Sequence, residues 1–160
     1  MGRLGLANAL EVASVCLIAA AIAQVAGALT IALQQWSGGG VSSLPFLDLF
    51  FSFWSPETPL LAFLALVAGL LGQATRRGAG APAVVARIVQ AAALGVFLLA
   101  IGAAVWDLTR IADYGSAGFF VAEAVSNLLV GVGGVALTTV ILARPSIRGP
   151  GRGETLRDHE

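Results

Sequence analysis

Most of the polar side chains that could carry chemistry in this sequence stand at the edges of long apolar runs. Glu11, Arg87 and Glu123 are the ionisable residues bordering or entering those runs. An ionisable group at membrane depth is a functional candidate by default. Glu123 is the strongest of the three, because Ser126 and Asn127 extend its polar face about one turn further along a helix. With Gly131, Gly134 and Thr138 they fall within a sector of about 140° at helical periodicity. A carboxylate at the lip of such a groove can bind a cation or a proton. Arg110 is the cation available to pair with Glu123, and Glu11 and Arg87 can pair across two helices near the opposite face. Interfacial anchoring is the plainer role for all of them, since each apolar run remains long enough to span a membrane without them. Asp107, Arg110 and Asp113, spaced by three, read as an exposed charge ladder, worth a few tenths of a kcal/mol per pair.

Other reaction chemistry lacks its parts. The single cysteine, Cys16, excludes an internal disulfide or a CxxC pair. It sits among small residues as an apolar packer, with no histidine nearby to activate it. Ser126, Thr138 and Thr139 have no His or Lys at the same level, so a serine-type nucleophile is unsupported. The one histidine, His159, is near the tail end, so no metal site and no cofactor are expected. Gly131-Val132-Gly133-Gly134 lies inside an apolar run, where glycine serves packing rather than phosphate binding. The expectation is a protein that is not an enzyme.

The elements that must position these residues follow from composition. Of 160 residues, 58% are hydrophobic and 11% charged, against about 25% charged in a soluble domain. With zero formal net charge there is no electrostatic footprint for nucleic acid. A span needs about 20 mainly apolar residues, and four stretches qualify: 12–33, 56–74, 83–106 and 119–143. Backbone groups in lipid must be satisfied internally, so the spans are helices. The predicted fold is an all-α integral membrane protein, a four-transmembrane-helix antiparallel bundle over residues 1–143. Ser55-Pro56-Glu57 is a helix start, with Ser as cap and Pro at the first helical position. Gly78-Ala79-Gly80-Ala81-Pro82 is a turn, and Arg144-Pro145 is a stop. Residues 144–160, rich in Gly, Pro and charge, are expected to be a disordered tail. Ala21-Ile22-Ala23 resembles a peptidase site, but Glu11 interrupts the would-be signal and the apolar run continues past it, so the first span is read as retained.

Arginine sets the orientation. Arg3, Arg76, Arg77, Arg87, Arg144, Arg148, Arg152 and Arg157 fall on one side and Arg110 alone on the other. The positive-inside rule makes the arginine-rich side, with both termini, cytoplasmic. Trp36, Trp54 and Trp106 all mark the opposite boundary, as an aromatic belt would. All nine basic residues are Arg and the chain is rich in Ala and Gly, which fits a GC-rich bacterial genome and a bacterial plasma membrane. The first outer join holds Gly38-Gly39-Gly40, a flexible hinge, then segment 45–54, predicted as a short interfacial helix with Asp48 and Ser52 on one strip.

Helix contacts in lipid favour small residues. Expected contact stripes are Cys16, Ala20, Ala23, Gly27 and Thr30 on the first span, and Ala62, Ala65, Gly69 and Gly72 on the second. The third offers Ala91, Gly95 and Gly102, and the fourth the Glu123 to Thr138 face. The functional expectation is a non-enzymatic accessory or scaffold subunit of a membrane complex. Its partners would be the lipid bilayer and other membrane proteins, or a second copy joined through these faces. The alternative is a small dimeric transporter or channel for a cation or proton-coupled substrate, using Glu123 and Asn127.

Overall fold

The computed structural model describes residues 2–38, 45–75, 83–114 and 117–143. They form five helices: α1 (Arg3–Ser37), α2 (Phe46–Ser52), α3 (Glu57–Thr75), α4 (Ala83–Tyr114) and α5 (Ala117–Ala143), with no strand among the described residues. Four of them, α1, α3, α4 and α5, are long and apolar enough to cross a membrane. The turn expected at 78–82, the glycines at 39–40 and the tail from 144 lie outside the described residues.

Local chemistry accounts for the helix ends. No proline interrupts residues 3–37, so α1 begins well before Val12 and runs for 35 residues, about 52 Å at 1.5 Å per residue. That exceeds a hydrocarbon core of about 30 Å. Gly38 extends its last turn with φ −76°, its N–H donating to Gln34 O. Before α3, the Glu57 N–H reaches Ser55 Oγ at 3.4 Å and the Thr58 N–H donates to Ser55 O at 3.0 Å. Pro59 sits in the first turn of α3, where its missing N–H removes a donor that has no intrahelical acceptor anyway. α4 likewise continues past Trp106 to Tyr114, which carries Asp107 and Arg110 on the helix rather than in a join.

Packing divides the helices into two intimate pairs, α1 with α3 and α4 with α5, and joins those pairs less extensively. Close approach is made by glycine and alanine. On α3, Ala62 and Ala65 are buried, Gly69 faces Ser14, and Gly72 lies against Ala7, Leu10 and Glu11. Along the same pair Ser14 Oγ donates to Ala65 O at 2.7 Å, and Thr58 Oγ1 donates to Gln24 Oε1 at 2.7 Å. On α5, Gly131 lies against Phe97 and Ile101, and Gly134 lies flat on the Phe97 ring. The face of α1 that packs is Ala7, Ser14, Ile18, Ala21, Ala28 and Ala32. The stripe expected from sequence, Cys16, Ala20, Ala23, Gly27 and Thr30, is exposed in the single chain, so it is not the face by which α1 packs on α3. Small residues occur on both faces of that helix, so size alone did not identify the packed one. On α4, Gly102 meets Phe51 of α2, whereas Ala91 and Gly95 are exposed.

The short helix α2 is wedged by its aromatic residues. Leu49, Phe50 and the following Trp54 are buried. Phe46 makes an edge contact with Trp36 of α1, and Phe51 stacks near Trp106 of α4, with centroids 6.2 and 6.1 Å apart. All three tryptophans therefore gather around α2 at one end of the bundle.

Candidate functional site

At this tryptophan end, two polar groupings meet on α4. The first faces α2. Asp48 accepts a hydrogen bond from Trp106 Nε1 at 2.8 Å and pairs with Arg110 through Oδ2 at 2.8 Å. The side chains of Arg110 and Asp48 are only 16% and 25% exposed, and the guanidinium also stacks over the Trp106 ring at 5.0 Å. One turn separates Trp106 from Arg110, which lets a single acid on α2 engage both.

The second grouping faces α5. Asp107 is 3% exposed and Asn127 is 1% exposed. Asn127 Nδ2 donates to Asp107 Oδ2 at 3.4 Å, a long bond. Asn127 Oδ1 is buried and has no hydrogen-bond partner. Glu123 stands one turn from Asn127 on α5 and is half-buried. Burial of Asp107 contradicts its place in the exposed ladder expected with Arg110 and Asp113, whose own side chain lies outside the described residues. The continuous helix through residue 114 sets Asp107 in line with buried Ala100, Ala103 and Ala104, so it ends a packed stripe. Arg110 then turns to α2.

Of the residues singled out in sequence, the structure thus brings together Glu123 and Asn127 and adds Asp107. Ser126 is exposed. Thr138 is fully buried, but its hydroxyl donates to Gly134 O of its own helix at 2.7 Å. It lies 11 positions from Asn127, about 16 Å along the axis, so no single groove joins the four. Arg110 meets Asp48, a residue the sequence reading had placed on a polar strip without assigning it a partner. The signal for it was there: Asp48 is the acid of the first join, on the same side as the one outlying arginine.

Toward the other end, Glu11, Ser14, Gly69, Gln73, Val89 and Gln90 line a small cleft between α1, α3 and α4. Glu11 is half-buried, with its Cγ over Gly72. Arg87 is exposed and does not line this cleft, so α4 presents Gln90 and Val89 there. Cys16 is exposed. Among the described residues no group of three or more His, Cys, Asp or Glu is placed to hold a metal ion.

No protein-family model, curated protein or solved structure matches the chain. The class the fold defines is therefore the coarse one: an all-helical chain with four helices able to span a membrane, which points to a multi-pass membrane protein.

Proposed function

We propose that this chain is a small, non-enzymatic multi-pass protein of the bacterial plasma membrane that acts as an accessory or scaffold subunit of a membrane complex. In this reading the spans form an antiparallel bundle. Its support is the register of contacts: Ala7, Ser14 and Gln24 of α1 meet Gly72, Ala65 and Thr58 of α3 in descending order. Phe97, Ile101 and Asp107 of α4 likewise meet Gly134, Gly131 and Asn127 of α5. The tryptophan end faces outward, with α2 in the outer interface, and both termini are cytoplasmic, as the arginine distribution requires.

The observation that carries the accessory role is the outward face of α1. Cys16, Ala20, Ala23, Gly27 and Thr30 are all exposed, and a Cβ added to Gly27 would meet nothing within 4 Å. In lipid, a face of small residues gains by letting another helix approach its backbone closely. Sizing of the chain extracted in mild detergent tests this, with Gly27→Leu as the perturbation. An assembly larger than the lone chain that Gly27→Leu disrupts is the expected result; a lone chain under all mild conditions refutes it. A reporter fused to the C-terminus should be active only in the cytoplasm.

A second reading, a small dimeric transporter or channel for a cation or proton-coupled substrate, is favoured by the burial of Asn127 beside two carboxylates. It predicts that Glu123→Gln abolishes flux in vesicles while the chain still inserts.

A further inference from the structure

We propose that Asp107, Asn127 and Glu123 form a binding site for one small monovalent cation between α4 and α5. The inference rests on the second reading only for its residues and holds whether or not the ion is transported.

Three observations converge. Asp107 and Asn127 are almost wholly withdrawn from solvent, at 3% and 1% exposure. A buried carboxylate is costly unless it takes up a proton or a counter-charge accompanies it. Among the described residues, no basic side chain pairs with Asp107 or Glu123; the guanidinium one turn away, Arg110, is engaged by Asp48. The third observation is the amide of Asn127. Its nitrogen donates to Asp107, and the oxygen on the same carbon atom is buried without a donor. Rotating the amide would set that oxygen against the carboxylate, so the observed orientation is the favourable one. It leaves a buried acceptor oxygen on the residue that already touches the carboxylate, and a cation is a partner that would satisfy it. Glu123, half-buried one turn before Asn127 on α5, puts a second carboxylate on the same stretch of helix.

The donor set limits the ion. Calcium gathers about six to eight oxygens and magnesium keeps much of its own water in a near-ideal octahedron, and a site this withdrawn from solvent suits neither. A monovalent ion sheds its water more readily and tolerates a smaller shell. Position fits as well: the site adjoins the Trp106 level, so an ion reaches it without crossing the apolar core.

The test uses the full chain in detergent, with Na+ as probe and choline replacing it at constant ionic strength. Thermal unfolding is followed as Na+ is raised. The wild type should unfold at higher temperature with saturating Na+ dependence, and Glu123→Gln, at a half-exposed position, should weaken the apparent affinity at least tenfold. Asn127→Leu should abolish the dependence while retaining the wild-type elution volume. If Asn127→Leu does not fold, the Glu123→Gln titration decides alone. Equal unfolding temperatures in Na+ and choline overturn the site, as does an unchanged Na+ dependence in Glu123→Gln. Flux measured in vesicles separates the two ideas: Na+ stabilisation without flux keeps the site and refutes transport, and flux without Na+ stabilisation does the reverse.

Discussion

Gly133 and Gly134 are neighbours in sequence on one apolar helix, yet the same substitution should affect them differently. A Cβ at Gly134 would stand 2.5 Å from Cγ, Cδ1 and Cδ2 of Phe97, a fully buried ring. Ordinary contact begins near 3.5 Å, so the ring or the helix must move by about 1 Å. Overpacking of this kind costs about 1–3 kcal/mol, and alanine's greater helix propensity returns at most about 1 kcal/mol. Gly134→Ala should therefore range from neutral to about 2 kcal/mol destabilising. Gly133 has nothing within 4 Å of the same added atom; Gly133→Ala should gain up to about 1 kcal/mol from propensity alone. The two variants should thus differ by about 1–3 kcal/mol, the size of the overpacking term. The assay is thermal unfolding in a single detergent, with Gly133→Ala as the internal control. Shrinking the ring with Phe97→Leu should relieve Gly134→Ala but not Gly133→Ala, with a coupling energy of about 1 kcal/mol between the two contacting sites. Equal stability of the two glycine variants, or no coupling to Phe97, would mean that α5 does not present Gly134 to α4, and the proposed cation site would lose its register too.

Two further substitutions test the links between helices. Asp48→Arg combined with Arg110→Asp should recover stability that either single change loses, whereas the exchange of Glu123 and Arg110 should not, because the 2.8 Å pair is with Asp48; double-mutant cycles by thermal unfolding read both. Thr58→Val should cost about 0.6 kcal/mol, the usual worth of a hydrogen bond between membrane helices, by removing the 2.7 Å bond to Gln24, and Gln24→Leu should add little once Thr58 is gone.

The four apolar helices were legible because length and hydropathy alone define them, and lipid leaves the backbone no other choice. The glycines of α3 and the Gly131–Gly134 face of α5 were legible for a related reason. On α3 the small residues form one run, and on α5 the packed glycines share a face with Asn127 and Thr138, which marks it against the exposed Ala122, Ser126, Gly133 and Ala136. α1 does carry a rival. Ala7, Ala21, Ala28 and Ala32 and the opposed Cys16, Ala20, Ala23 and Gly27 are equally small, and the chain buries the first set through the Ser14 and Gln24 hydrogen bonds. Asp107 was misread for a different reason. Counting by threes tied it to Arg110, while the helical period that includes four ties it to Ala103 and Ala100. A charge was assumed to belong to the join, and the helix simply continued through it.

These placements give the polar groups different mechanical settings. α1 with α3 forms one tight pair and α4 with α5 the other. The cleft at Glu11, Gln73 and Gln90 lies on the seam between the pairs, where a small relative shift alters its width. Asp107 and Asn127 lie within a pair, held by the Gly131 and Gly134 contacts, so the same shift would leave their spacing intact. At the tryptophan end α2 adds to the direct packing of α3 and α1 on α4: it follows α1 in the chain, buries Leu49 and Phe50, and fastens to α4 through Asp48. Without the Asp48 link, that direct packing alone would hold the pairs at the tryptophan end. Breaking Asp48 should therefore loosen the two pairs against each other while leaving the Asp107–Asn127 contact in place. An Asp48→Asn variant that loses thermal stability but keeps wild-type Na+ affinity would fit this division, and a loss of both together would refute it.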